Sequence, residues 1–169
     1  IMYVNFIFIA IFLGYSIGSA PIISFHYGAK NNCELKNLFK KSLSLIGSWG
    51  IMLFIIAQII SGPLAKLFVG YNAELFVMTK HGFQIFCFAF LINGFNIFGS
   101  SFFTALNNGL ISAAISFLRT LVFQLSVVLI LPMILGINGI WISVAIAELL
   151  TLCVTVTCLI RKRKVYHYI

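Results

Sequence analysis

Five apolar stretches, each long enough to cross a bilayer, follow one another along the chain, and positive charge collects in alternate gaps between them. A spanning helix needs about 20 apolar residues. Residues 1–25, 43–68, 82–106, 110–135 and 139–160 each reach that length. Hydrocarbon offers the backbone no partners, so each segment must satisfy its own N–H and C=O groups, and helices do this within one segment. A barrel would need spans of about 10 residues with alternating polarity, which Ile51–Ile60 (IMLFIIAQII) and Val127–Leu131 (VVLIL) contradict. The expected fold class is therefore all-α, a polytopic membrane helical bundle of five transmembrane helices. With 62% hydrophobic and 8% charged residues, a water-soluble globule of 169 residues would lack polar surface.

The charges are placed as topology requires. Lys30, Lys36, Lys40 and Lys41 follow the first span, Arg119 lies early in the fourth, and Arg161, Lys162, Arg163 and Lys164 form the basic tail within 161–169. The opposite gaps hold only Lys66 and Lys80. Nine basic residues against two put the C-terminus in the cytoplasm of a multi-pass plasma-membrane protein. Five crossings then leave Ile1 outside, which predicts an upstream membrane segment. The net charge of +8 is accounted for by this pattern, so no nucleic-acid partner is expected; membrane lipid is.

Local signals refine the spans. Gly14 and Gly18 share one helix face and suggest close helix packing, with a ligand-facing role as the alternative. Pro21 is expected to kink the last turns before Gly28, and Ser61-Gly62-Pro63 to interrupt the second span. Lys30 to Lys41 reads as a short interfacial helix or a solvated loop. Asn107-Asn108-Gly109 and Gly136-Ile137-Asn138-Gly139 read as tight turns. Cys33, Cys87, Cys153 and Cys158 show no ligand or disulfide spacing and are expected to stay free thiols.

Polar residues within the spans carry the functional expectations. Glu148 is the one acid well inside a span, where an ionisable group is a functional-site hypothesis by default. Its role is either structural, through an ion pair, or in transport. Arg119 either marks the interface and snorkels or pairs with Glu148, the two lying ~25 Å and ~18 Å from the turn at Gly136. Asn93, Asn96, Ser100 and Thr104 recur at helical steps on the third span and line one stripe. Such a stripe bonds neighbouring helices or lines a wet cavity, and Gly94 and Gly99 beside it make a bent helix credible. Gln84 joins Asn93, Asn96 and Glu148 as a candidate pathway residue, whereas Gln58 and Gln124 are expected to bond neighbouring helices. No phosphate loop, metal cluster or nucleophilic triad is present, so neither enzymatic activity, a metal nor a cofactor is expected. His26, His81 and His167 lack partners at ligand spacing and read as interfacial side chains.

The order of these signals resembles the multidrug and toxic compound extrusion (MATE) family. Pro21 to Asn31 (PIISFHYGAKN) closes a span and opens a basic loop as in that family. Phe98 to Leu106, Ser116 to Arg119, Leu131-Pro132, and Gly139-Ile140-Trp141 through Ala147-Glu148 follow in the family's order. The resemblance implies helices eight to twelve of a twelve-helix transporter, that is, most of its C-terminal lobe, with a bacterial MepA-like branch as the most similar. It further implies an N-terminal lobe of the same parent as partner, cationic drug-like substrates, and export by alternating access coupled to Na⁺ or H⁺. It gives Pro21 and Arg119 packing or gating roles beside Gly14 and Gly18. His26 stands where the family has Asn, and Ala20 where it often has Gln. Asn93 stands where some relatives carry a cation-coordinating Asp; Asn can offer a carbonyl to Na⁺ but cannot carry a proton. The coupling ion therefore stays open, with residues outside this chain expected to share its site, and the chain alone is expected not to transport. A lipid-linked oligosaccharide flippase of the same superfamily and a non-transporting truncated remnant are the alternatives.

Overall fold

A computed structural model describes residues 1–166 and 168; the expectation for His167 lies outside them. Helix α1 runs Met2–Gly28, α2 Asn32–Val69, and α3 Ala73–Phe86, which continues through a 3₁₀ turn at Cys87–Ala89 into α4, Phe90–Ala105. Helix α5, Gly109–Phe117, passes through a π-helical stretch, Leu118–Gln124, into α6, Leu125–Leu135, and α7 spans Ile137–Tyr166. Taken as continuous rods these are five helices long and apolar enough to cross a membrane. No strand occurs among the described residues.

The turns are set by asparagine. Asn31 Oδ1 accepts from the Glu34 N–H, Asn72 Oδ1 from those of Glu74 and Leu75, and Asn108 Oδ1 from that of Ile111. Each thereby satisfies donors that the first helical turn leaves open. Glu34 and Glu74 add an acid to the positive end of the helix dipole. Asn107 takes φ 60° and Gly136 φ 59°, so both tight turns use the left-handed region that these two residue types enter cheaply.

Several local expectations are corrected. Helix α2 is not interrupted at Ser61-Gly62-Pro63 but continues to Val69, whereas α1 ends at Gly28 as expected, with Pro21 inside it. Within hydrocarbon a full break would expose several backbone groups at several kcal/mol each, whereas a proline in a continuing helix forfeits one bond. Residues 32–41 are helical, as one reading of Lys30 to Lys41 had it, but they are the first turns of α2 rather than a separate interfacial helix. The basic tail through Lys164 is likewise the end of α7. The third span is irregular at Cys87–Ala89, not at Gly94 or Gly99.

Helix α4 is the axis of the bundle. It packs against α1, α2, α5 and α7, and Phe90, Phe98, Phe102 and Phe103 are fully enclosed. Lipid tails are as apolar as these side chains, so helix association rests on close packing and hydrogen bonds rather than on exclusion of water. Edge and tilted aromatic contacts supply part of it: Phe8 on Phe90 at 4.9 Å and Phe39 on Phe102 at 4.9 Å between ring centroids. Helix α6 lies outermost, with Val127 as its one buried residue.

Tyr168 folds back onto this core. Its ring sits 5.1 Å from Phe39 and 5.0 Å from Phe102, and its hydroxyl donates to the Leu159 carbonyl at 2.7 Å. Tyr168→Phe is expected to cost about 1 kcal/mol, the worth of one such bond, as a lower melting temperature followed by tryptophan fluorescence in detergent. Burial pushes the Tyr168 hydroxyl above the ordinary tyrosine range. The folded state thus holds this proton more tightly than the unfolded one. The contribution is complete below about pH 10 and is lost as pH rises above it, and the phenylalanine variant should lack that alkaline loss.

Candidate functional site

Three rods converge on one buried carboxylate. Glu148 of α7 is 5% exposed, and its carboxylate would be untenable in hydrocarbon without partners. The guanidinium of Arg119, carried by the π-helical stretch, donates through Nε at 2.9 Å and Nη2 at 2.8 Å to Glu148 Oε1. Asn96 of α4 donates Nδ2 to Glu148 Oε2 at 2.7 Å and to the Glu148 backbone carbonyl at 2.9 Å. With its amide nitrogen toward the carboxylate, the orientation that avoids setting acceptor against acceptor, Asn93 donates to Oε1 at 2.9 Å and Oε2 at 3.2 Å. Thr155, two turns beyond Glu148, closes the cluster by donating to Asn96 Oδ1 at 3.2 Å. The pairing reading of Arg119 therefore holds and the snorkelling one is corrected: its side chain is 20% exposed and is held inward by the acid. A π-helical turn carries an extra residue and is often found at functional positions; here it is the segment that presents the base.

The polar stripe of the third span divides. Asn93 and Asn96 enter the ion-pair cluster, while Ser100 and Thr104 face α5. Ser100 Oγ lies 2.9 Å from the hydroxyls of both Ser112 and Ser116, and Thr104 donates to Ser112 Oγ at 2.7 Å. Ser100, Thr104 and Ser116 border a groove of about 260 Å³ between α1, α4 and the fourth rod, lined also by Leu13, Ser16, Ile17, Ile97, Ser101 and Arg119. Helix bonding is thus realised along the whole stripe, and its Ser100 and Thr104 end also borders a groove. Ser101 donates to the Ser16 carbonyl at 3.1 Å, whereas Ser16 Oγ is enclosed without a partner among the described residues. Gln84 stands apart from both features: nine residues from Asn93, it is ~13 Å along the rod. Its backbone carbonyl accepts from the Gln58 amide, the interhelical bond expected of Gln58.

Other candidates resolve differently. Gly14 and Gly18 face open space, and a Cβ at either would meet nothing, so no helix of this chain packs on them. Gly18→Ala is expected to stabilise the isolated chain by up to ~1 kcal/mol through helix propensity, read as a higher melting temperature. The close approaches are at other glycines. A Cβ at Gly99 would strike Thr155 Cγ2, and one at Gly94 would lie 2.6 Å from both Ile46 Cγ2 and Phe12 Cε1. Pro21 lies within continuous helix with no part in the cluster. His26 Nδ1 is enclosed beside the ring of Phe25, without a hydrogen-bond partner among the described residues. All four cysteines are free thiols, and no group of metal-ligating side chains occurs among the described residues.

Thr155, Ser112 and Ser116 were not singled out from the sequence. The signal was available as spacing: Thr155 is seven residues from Glu148, on the same helix face, and Ser112 and Ser116 are four apart.

The family model MatE matches residues 1–130. The chain belongs to the MatE family. MatE is a family of transporters. No curated protein matches it. Among solved structures, the MatE chain is similar to the Vibrio cholerae MATE transporter VcmN in its bent form, with a TM-score of 0.79 at 19% identity over 94% of this chain. That likeness is one of fold. The MatE chain spans 37% of the length of the Vibrio protein.

Proposed function

We propose that this chain is the C-terminal part of a secondary active efflux transporter that exports cationic or amphiphilic compounds in exchange for Na⁺ or H⁺ by alternating access. Family membership supports the transporter class. The observation that carries the reading within the chain is the hydroxyl-lined groove ending at Arg119, whose charge Glu148 neutralises. A cationic guest meets hydroxyl dipoles and apolar walls there, with the base already paired. This neutralisation also weighs against an oligosaccharide flippase, whose anionic lipid-linked cargo calls for an unpaired positive cavity.

In this reading Glu148 is a lock rather than a carrier. Its carboxylate accepts from Arg119, Asn93 and Asn96, so an incoming cation would have to displace a bonded guanidinium. The coupling site then lies with residues of the parent outside this chain, and an N-terminal lobe completes the cleft. The excess of basic residues at one end supports a cytoplasmic C-terminus, and a plasma-membrane location is part of the same proposal. The test is extrusion of a cationic dye from efflux-deficient bacteria expressing the full parent reading frame, with imposed Na⁺ and H⁺ gradients in turn. Gradient-dependent extrusion is expected. Dye retention under both gradients, with the protein present in the membrane, would overturn the proposal.

A further inference from the structure

Behind Thr155, on the side turned from the ion pair, α2, α4 and α7 leave a second groove of about 380 Å³. Its walls include Phe39 and Leu43 of α2, Phe95 of α4, and Val156, Leu159 and Ile160 of α7. Thr155 also borders it, but its hydroxyl is turned inward onto Asn96. The groove therefore offers a guest no polar handle. Its size falls within the ordinary range of ligand sites, roughly 300–1,000 Å³, while its chemistry is that of hydrocarbon.

The polar groups stand at one end of it. Lys36 and Lys40 lie one turn from Phe39 and Leu43 towards the start of α2, and Arg163 and Lys164 lie one turn beyond Leu159 and Ile160 at the end of α7. All four are exposed. The start of α2 and the end of α7 share one end of the bundle, because Phe39 and Leu159 both contact Tyr168 and the Asn108 amide donates to the Tyr166 hydroxyl at 2.7 Å. Glu34 is the one acid in these helix ends. Four cations thus crown an apolar channel that opens sideways into the bilayer.

We infer that this groove binds an anionic phospholipid, one acyl chain lying between α2 and α7 and the phosphate resting on Lys36, Lys40, Arg163 and Lys164. Charge complementarity selects the occupant. A cationic drug would be repelled at the rim and would find nothing to bond inside, whereas a zwitterionic lipid gains the groove but little from the crown. Basic residues near a membrane surface each favour anionic lipid measurably. The inference needs only that the bundle sits in a bilayer, so it stands or falls independently of what the parent transports.

The experiment is native mass spectrometry of the purified chain in detergent, with phosphatidylglycerol and phosphatidylcholine of identical acyl chains added in parallel. Phosphatidylglycerol adducts are expected at lipid concentrations on the order of tenfold lower than phosphatidylcholine adducts. Lys36→Gln combined with Arg163→Gln should bring the two lipids level. Val156→Trp, which fills the groove from α7, should weaken both, and Leu43→Trp does the same from α2 should the first variant lose helicity. Equal binding of both lipids by the parent chain would overturn the inference. So would an undiminished phosphatidylglycerol preference in the rim variant, or unchanged adducts in a folded groove-filling variant.

Discussion

Glu148→Gln is expected to lower the unfolding free energy by about 3 kcal/mol, because it leaves the Arg119 guanidinium in the membrane interior without its counter-charge. The value sits at the low end of the range for broken buried pairs, since a fifth of the Arg119 side chain stays accessible and can draw some solvent. Melting in detergent, followed by the fluorescence of Trp49 and Trp141, reads it directly. Removing both partners separates the cost of an orphaned charge from the worth of the pair. Glu148→Gln with Arg119→Gln should recover most of the loss, leaving a difference of ~1 kcal/mol or less from the parent. If the double variant is no better than the single one, the pair is not the source of the effect, and the Asn93 and Asn96 bonds to the carboxylate are. That second outcome would move the lock from the charge to the amides.

The second large effect is expected at Gly99. Alanine there places its Cβ against Thr155 Cγ2, so α4 and α7 must separate at the level where Asn96 bonds both Thr155 and Glu148. Overpacking of this kind costs about 1–3 kcal/mol, and the upper half of that range is expected because a buried hydrogen bond is strained with it. The compensating change is Thr155→Ser, which deletes the offending methyl and keeps the hydroxyl on Asn96. Gly99→Ala with Thr155→Ser should restore the melting temperature to within ~1 kcal/mol of the parent. Failure of serine to rescue would place the clash with the helix backbones instead of that methyl. Gly14 makes the opposite control on the same bundle, since its face is open.

What the sequence disclosed follows from which forces act along one helix and which act between helices. Span number and order are properties of segments taken singly, so hydropathy and charge sufficed to read five helices and their turns. The family order, from Pro21 to Glu148, was likewise legible, and the MatE match agrees with it. The interruption expected at Ser61-Gly62-Pro63 does not occur, because a break inside hydrocarbon leaves backbone groups without partners. The glycine faces misled for a related reason. Gly14 and Gly18 have the spacing of a packing seam, but spacing cannot say which side a neighbour occupies. Gly82, which has no comparable pattern, is the one pressed onto the Trp141 indole. At the site, Asn93, Asn96 and Glu148 were marked by being polar in an apolar span, and the structure joins them. Whether Arg119 reached Glu148 depended on how the fourth rod is turned against α7, which the 3.6-residue pattern of a single segment does not give.

The Arg119 to Glu148 bond also imposes an order in time. The two residues are 29 positions apart, so at a synthesis rate of about 5–20 residues per second the base leaves the ribosome roughly 1.5 to 6 seconds before its acid. During that interval the fourth crossing would carry an uncompensated guanidinium, which resists settling at mid-membrane. The hairpin formed by the last two crossings is therefore a natural unit of insertion, held back at the translocation machinery until α7 arrives and the charges meet. Chains cut before α7 and lengthened by a soluble linker that carries the fourth crossing clear of the ribosome should display that crossing incompletely inserted, and chains that keep α7 ahead of the same linker a completed hairpin.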